Sequence, residues 1–270
     1  MKTANESAAY IPLQPGLDQF TIRYWKPPVQ TPSRLPATLF YEMKIHDPGY
    51  EYVHVLPDAC VEILFELNPA KPVVWIGGSV IKTRKIRFRS GIPYFGIRFL
   101  PEHGIRVPDE LIIDETVPSS FFQKQEDLIE QMLQDSSLEG CIRLFHGFVH
   151  SDRFPIRDVP DFILYAIRQS CLTKGNIEIH GLAEKTGYSV QYFRKKFEQY
   201  TGIPPKLFNR IIRFQNSLNR IMFQNCSLMD IVEEHGYYDQ AHLIREFRNF
   251  NYLTPLQIKK SMEKQTGVHR

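Results

Sequence analysis

Leu182-Ala-Glu-Lys-Thr-Gly-Tyr188 returns as Ile231-Val-Glu-Glu-His-Gly-Tyr237 at an offset of 49 residues. With one residue inserted, Phe193, Phe197 and Pro205 line up with Leu243, Phe247 and Pro255 at an offset of 50. A repeat of this kind indicates two copies of one supersecondary unit. In each copy a short helix with a small residue at its centre, Ala183 or Val232, meets a glycine, Gly187 or Gly236, that permits a tight turn. A capping residue, Ser189 or Asp239, then opens a second helix, its side-chain oxygen accepting from the orphan amides of the first turn. Helix, tight turn and helix make up the plan of a helix-turn-helix, which is expected over about 178–201 and again over about 227–250.

The second helix of each copy has two faces. Phe193 and Phe197, and in the later copy Leu243, Phe247 and Phe250, take the inner one. Gln191, Tyr192, Arg194, Lys195 and Lys196 are left to the outer face of the first copy. Gln240, Ala241, His242, Arg245 and Arg248 fill the same role in the second. These are residue types that read bases and hold phosphates: Arg or Lys suits guanine, Gln suits adenine, and a small apolar residue suits a thymine methyl. One charged outer face decides nothing, because exposed helix faces are usually polar. Two in tandem, each after a glycine turn, point to double-stranded DNA. Between the copies Leu207, Ile211, Phe214, Leu218 and Ile221 repeat at spacings of 4, 3, 4 and 3, the apolar stripe of a long helix opened by Pro204 and Pro205. Its other side carries Asn209, Arg210, Arg213 and Arg220, read as a basic face joining the two motifs.

The charge is divided along the chain. From Phe154 onward 17 Lys and Arg stand against 11 Asp and Glu, a net of +6, which leaves −3 for Met1–Arg153 out of the total of +3. A basic half beside a slightly acidic one suggests different partners for each. At 270 residues the chain is comfortable for two domains, and Ser151–Pro160, polar and carrying two prolines, reads as the linker. Domains are therefore expected at 1–153 and 154–270. No apolar run approaches the roughly 18–20 residues that span a bilayer, and Met1–Pro12 lacks the pattern of a signal peptide, so no membrane role and a cytoplasmic location are expected.

Before the linker the pattern is mainly β. Val61–Leu67, Val73–Ile76, Lys85–Arg89 and Tyr94–Phe99 are short, rich in β-branched and aromatic residues and bounded by Pro and Gly. Two helices follow, over about 125–133 and 138–150. The expected fold class is a two-domain α+β protein: a β-rich sandwich- or barrel-like domain with two helices, then an all-α domain with two helix-turn-helix motifs joined by a long helix. The nineteen aromatic residues from Tyr10 to Phe154 are enough to fill a core and to line an apolar pocket as well.

An enzyme would have to find its chemistry in that β-rich part. His146 and His150 stand at metal-ligand spacing, but Gly-Phe-Val lies between them, with no Glu to act as base. His46, His54 and His103 have no partner pattern. Asp58 and Cys60 would need a base beside them to form a nucleophile. Cys60, Cys141, Cys171 and Cys226 form no C-x-x-C pair and read as buried free thiols. No phosphate-binding glycine motif is present, and neither a cofactor nor a metal is expected.

Gly236-Tyr-Tyr-Asp-Gln-Ala-His-Leu-Ile-Arg-Glu-Phe247, followed by Leu253-Thr-Pro255, resembles the signature of the AraC/XylS-type transcription regulators. The resemblance covers about 161–260. It implies that both recognition helices enter successive major-groove segments on one DNA face, tied by the helix from Pro204 to about Gln224. Leu243 stands where the family usually has Phe, Ala241 where Ser is common, and Tyr252 where the family and the first copy, at Gly202, have Gly. Leu56-Pro-Asp-Ala-Cys-Val-Glu-Ile-Leu-Phe65 and Phe95-Gly-Ile-Arg-Phe-Leu-Pro101 resemble, more weakly, the β-rich domain of a subset of these regulators. In the family such domains bind effectors, dimerise, or do both. A homodimer, a small-molecule effector and RNA polymerase are accordingly the candidate partners beside DNA; the alternative is an N-terminal domain that is an enzyme or a pure dimerisation module.

Overall fold

The structure, a computed structural model, describes residues 10, 12–18, 20–25, 38–46, 52–101, 115–151, 153–154, 159–224 and 226–266. It folds as two compact units: Gln14–Val159, and Pro160–Arg270 together with the described residues of Met1–Leu13. Much of the expected linker, residues 152 and 155–158, lies outside the described residues, as does His103.

In the first unit a short helix α1 (Pro15–Asp18) precedes the strands β1 (Thr21–Trp25), β2 (Thr38–Lys44), β3 (Tyr52–Val55), β4 (Val61–Glu66), β5 (Val73–Gly77), β6 (Arg84–Arg87), β7 (Pro93–Phe99) and β8 (Thr116–Pro118). Six pair in an antiparallel sheet of order β1-β2-β7-β4-β5-β8, and β3 pairs with β6 in a second, smaller sheet. Side chains alternate across a strand, so the large sheet sorts its residues onto two faces. Phe40, Ile63, Phe65, Phe95 and Ile97 face the helices α2 (Glu126–Gln134) and α3 (Leu138–His150), packing on Met132, Phe145 and Phe148. Tyr41, Met43, Leu64 and Tyr94 face the small sheet through Val53, Val55 and Phe88. The central strands β4 and β7 are covered on both sides, which is why they are almost continuously apolar. Among the described residues β1 and β8 end the large sheet as edges, so it does not close into a barrel; the sandwich is the shape the chain adopts.

One polar knot lies inside this unit. The Arg98 guanidinium, buried on β7, sits 3.3 Å from Asp58, which also accepts from the Gln14 amide at 2.8 Å and the Cys60 backbone N–H at 3.0 Å. A buried charge is tolerable only when paired in this way.

The second unit is helical: α4 (Asp161–Leu172), α5 (Ile179–Lys185), α6 (Val190–Thr201), α7 (Pro205–Phe223), α8 (Leu228–His235), α9 (Gln240–Asn251) and α10 (Pro255–Thr266). The long helix α7 is its axis. Phe208 near its start meets Phe197 of α6 at 5.3 Å, and Phe214 further along meets Phe247 and Phe250 of α9 at 4.9 and 5.1 Å. The start of α7 thus anchors α6, and its middle anchors α9. Leu13 joins the same unit: the buried amide of Gln215 accepts from its N–H at 2.8 Å and donates to its carbonyl at 3.3 Å.

Candidate nucleic-acid interface

In the first motif α5 is joined to α6 by a turn through Gly187, and Ser189 caps α6, its hydroxyl accepting from the Tyr192 N–H at 3.3 Å. Phe193 and Phe197 are fully buried, which turns Gln191, Tyr192, Arg194 and Lys195 outward, all exposed. Lys196 is half-buried and already engaged, donating to Gln199 at 3.0 Å and lying 5.8 Å over the Tyr192 ring. Tyr192 stacks on Tyr188 at 4.9 Å, and Tyr188 meets Phe162 of α4 at 4.6 Å. A long aromatic side chain on the outer face is thereby fixed in position rather than left to swing.

The second motif is built more tightly. Ser227 and Asp230 form a capping box at the start of α8, with bonds of 3.1 and 2.8 Å; those bonds hold the Asp230 carboxyl below its usual range. Ser-x-x-Asp before an apolar run is the sequence signal of this cap. Gly236 ends α8 in the left-handed region at φ 67°, where a Cβ would also press on the Asn176 side chain at 2.6 Å. Asp239 caps α9, accepting from the His242 N–H at 2.6 Å. His242 is half-buried, its Nδ1 accepting from the Tyr238 N–H at 3.2 Å. With Leu243, Phe247 and Phe250 buried, Gln240, Ala241, Arg245 and Arg248 are exposed. Tyr238, 90% exposed beside the cap, belongs with them and was not anticipated.

The basic face expected on α7 is not an open face. Asn209 donates to the Ile177 carbonyl at 3.0 Å, Arg213 donates to the Gly175 carbonyl at 2.9 Å, and Arg220 lies 2.8 Å from Glu234. Arg210 holds Glu246 of α9 with two bonds of 2.9 Å. These side chains staple the surrounding helices, because a central helix packed on several sides has little outer surface to offer. What remains is a groove of about 660 Å³ bounded by α5, α6, α7 and α9. Its lining includes His180, Arg194, Lys206 and His242. Lys206 and His180 did not stand out in the sequence, since neither lies on a recognition helix.

A family model described as a helix-turn-helix domain matches residues 182–261, the stretch from α5 through most of α10. The C-terminal unit therefore holds a helix-turn-helix domain. An HTH-type transcriptional regulator of Haemophilus influenzae, itself uncharacterised, is 32% identical to this chain over 84 residues, 31% of the chain and 28% of that protein's length. Among solved structures, the C-terminal domain of AraT, a response regulator from Geobacillus stearothermophilus, aligns with 39% of the chain and 88% of its own at 17% identity and a TM-score of 0.37. ToxT from Vibrio cholerae aligns with 86% of the chain and 98% of its own at 12% identity and a TM-score of 0.42.

Of the residues weighed for catalysis, Asp58, Cys60 and His146 are engaged in packing and pairing. Burial, then the Asp58 charge, push the Cys60 thiol well above its ordinary range, which keeps it protonated and unreactive. The His146 ring packs 5.7 Å from Phe40, and burial followed by the His150 charge lowers its pKa. No group of three or more metal-binding side chains occurs among the described residues. Cys60 and Cys141 are buried as expected of free thiols, whereas Cys171 and Cys226 are half-exposed at helix margins. No helix among the described residues is long and apolar enough to cross a membrane.

Proposed function

We propose that the chain is a sequence-specific DNA-binding transcription regulator in which α6 and α9 read two adjacent major-groove segments, while the Gln14–Val159 unit supplies control. The observation that carries this reading is the paired surface: two capped helices, each anchored through buried phenylalanines to α7, one near its start and one at its middle, and each turning polar and basic side chains outward. Gln191, Tyr192, Arg194 and Lys195 serve the first segment, and Gln240, Ala241, His242, Arg245 and Arg248 the second. Lys196, Lys206 and His180 hold phosphate between them. Successive major-groove segments lie about 34 Å apart, so the footprint is about 20 base pairs on one face of the duplex. Footprinting on operator fragments selected from genomic DNA tests this, and protection of a single turn per chain would overturn it.

For the Gln14–Val159 unit, the sensor reading is favoured over pure dimerisation by a pocket between its two sheets. A homodimer would bring four recognition helices to paired sites and raise their effective concentration. Sedimentation of the whole chain beside a fragment of about 154–270 tests the dimer: equal oligomeric state and equal affinity on paired sites would remove it.

A further inference from the structure

The small core between the two sheets of the Gln14–Val159 unit is incompletely filled. Leu64, Phe88 and Tyr94 are buried there, but Trp75, Val80 and Ile86 are only partly covered and border a pocket of about 310 Å³. That volume falls at the lower end of the roughly 300–1,000 Å³ of small-molecule sites.

One buried carboxylate is set into the lining of this pocket. Glu66, at the end of β4, has a side chain only 5% exposed. Its Oε2 accepts from the Trp75 indole N–H at 3.1 Å. Its Oε1 is ion-paired with Arg89 Nε at 3.3 Å but accepts no aligned hydrogen bond among the described residues. A buried oxygen left without a donor is costly, and a carboxylate can only accept. The missing partner is therefore an N–H or O–H. The charges around it restrict the partner further. Arg84, Lys85 and Arg87 line the pocket and Arg89 adjoins Glu66, against Glu66 and Glu115. A cation would meet Arg84, Lys85 and Arg87, and a carboxylate would meet Glu66 and Glu115.

We propose that this pocket binds a neutral, flat aromatic molecule with one N–H or O–H donor, of the phenol or indole class, donating to Glu66 Oε1 with its ring against Trp75 and Ile86. The assignment rests on the sensor reading of this unit and names the ligand class.

The probes are phenol and indole, with toluene, benzoate and benzylamine as controls, titrated calorimetrically into the full chain. Phenol and indole should bind saturably, and toluene at least about tenfold more weakly, since a hydrogen bond to a charged group contributes about 1.5 kcal/mol or more. Glu66→Leu, checked for folding by its melting curve, should bring phenol down to the level of toluene. Ile86→Trp, which fills the cavity and leaves Glu66 in place, should abolish binding of both. No saturable binding of phenol or indole, equal binding of toluene, tighter binding of benzylamine or benzoate, or indifference to Glu66→Leu would each overturn the proposal. Gel-shift titration with and without phenol separates the two layers: binding that leaves DNA affinity unchanged upholds the pocket and overturns only the sensor reading.

Discussion

Arg210 of α7 grips Glu246 of α9 with both prongs of its guanidinium, Nε and Nη2 each 2.9 Å from a different carboxylate oxygen. The same guanidinium lies 5.3 Å over the Phe250 ring. Glu246 is almost buried, and the pair fixes α9 on the helix that also carries α6. Bidentate pairs of this kind add geometric definition as well as energy. Arg210→Met should therefore cost about 1–3 kcal/mol of stability, the penalty of a buried acceptor left alone. It should also weaken the half of the footprint read by α9 more than the half read by α6. Equal weakening of both halves would show that the pair does not position α9.

On the proposed reading, the exposed Arg245 and Arg194 are base readers. Replacing either by Ala should lower affinity by about 1–3 kcal/mol for one preferred base and little for its substitutes. Lys196→Ala should instead reduce affinity slightly and evenly, because its ammonium is already committed to Gln199 and the Tyr192 ring. A panel of single-base operator variants in gel-shift titration separates the two patterns. An even loss across the panel for Arg245→Ala would make it a phosphate contact.

The helical half was legible because its signals are local. Gly187 and Gly236 each punctuate a turn, and the spacing of Phe193 and Phe197, or of Leu243 and Phe247, needs only the helix period to assign an inner face. The polar side of α7 was misread for the converse reason: Asn209, Arg210 and Arg213 meet partners 32 to 38 residues away in sequence, which periodicity cannot show. In the β-rich half, β4 to β7 were visible as apolar runs between turn residues. β1, β2, β3 and β8 were not assigned, and the pairing of β2 with β7 joins residues too distant for any local pattern. Glu66 escaped notice entirely, because its burial depends on the sheet that covers it.

Asp239 carries the opening of α9. Its carboxylate accepts the His242 N–H, and the His242 ring in turn accepts from Tyr238. Asp239→Ala should cost about 1 kcal/mol of stability and loosen the end of the helix that bears Gln240 and Ala241. Asp239→Asn, which keeps the accepting oxygen, should restore most of it. An unchanged melting temperature for the Ala variant would remove the cap from the account.

Tyr252 and Gly202 end the two recognition helices in the same way, with backbone N–H groups donating to Arg248 and Glu198 at 3.0 and 2.8 Å. Both are left-handed, at φ 57° and 81°. Gly accepts that conformation freely, while Tyr strains by about 1–2 kcal/mol, and the Tyr252 ring, 67% exposed, recovers little by packing. After the extra chain entropy of Gly, Tyr252→Gly should stabilise by about 0.5–1 kcal/mol. Tyr252→Ala should give no such gain, as it keeps the strained Cβ. Thermal melts of the two variants side by side are the measurement, and equal melting temperatures would place the strain elsewhere.

His235 closes α8 immediately before the turn at Gly236, 1% exposed and with neither ring nitrogen hydrogen-bonded among the described residues. Burial lowers its pKa from 6.5 to about 4; Glu234 opposes that fall, and Lys174, Arg220 and Arg213 add to it. The folded chain thus keeps this ring neutral where the unfolded chain protonates it. Between pH 6.5 and about 4 the unfolded state binds the extra proton, so the contribution is fully present above pH 6.5 and is lost as pH falls through that window. At 1.36 kcal/mol per unit the loss amounts to about 3 kcal/mol at the acid end. His235→Leu removes the titrating ring and keeps the site apolar, so it should flatten this part of the stability curve and leave stability at neutral pH nearly unchanged or improved. Chemical denaturation of both forms at pH 7.5, 6.0 and 5.0 measures the slope. Parallel curves would assign the acid sensitivity to other groups, whereas a slope that disappears with the imidazole locates it at the turn that aims α9.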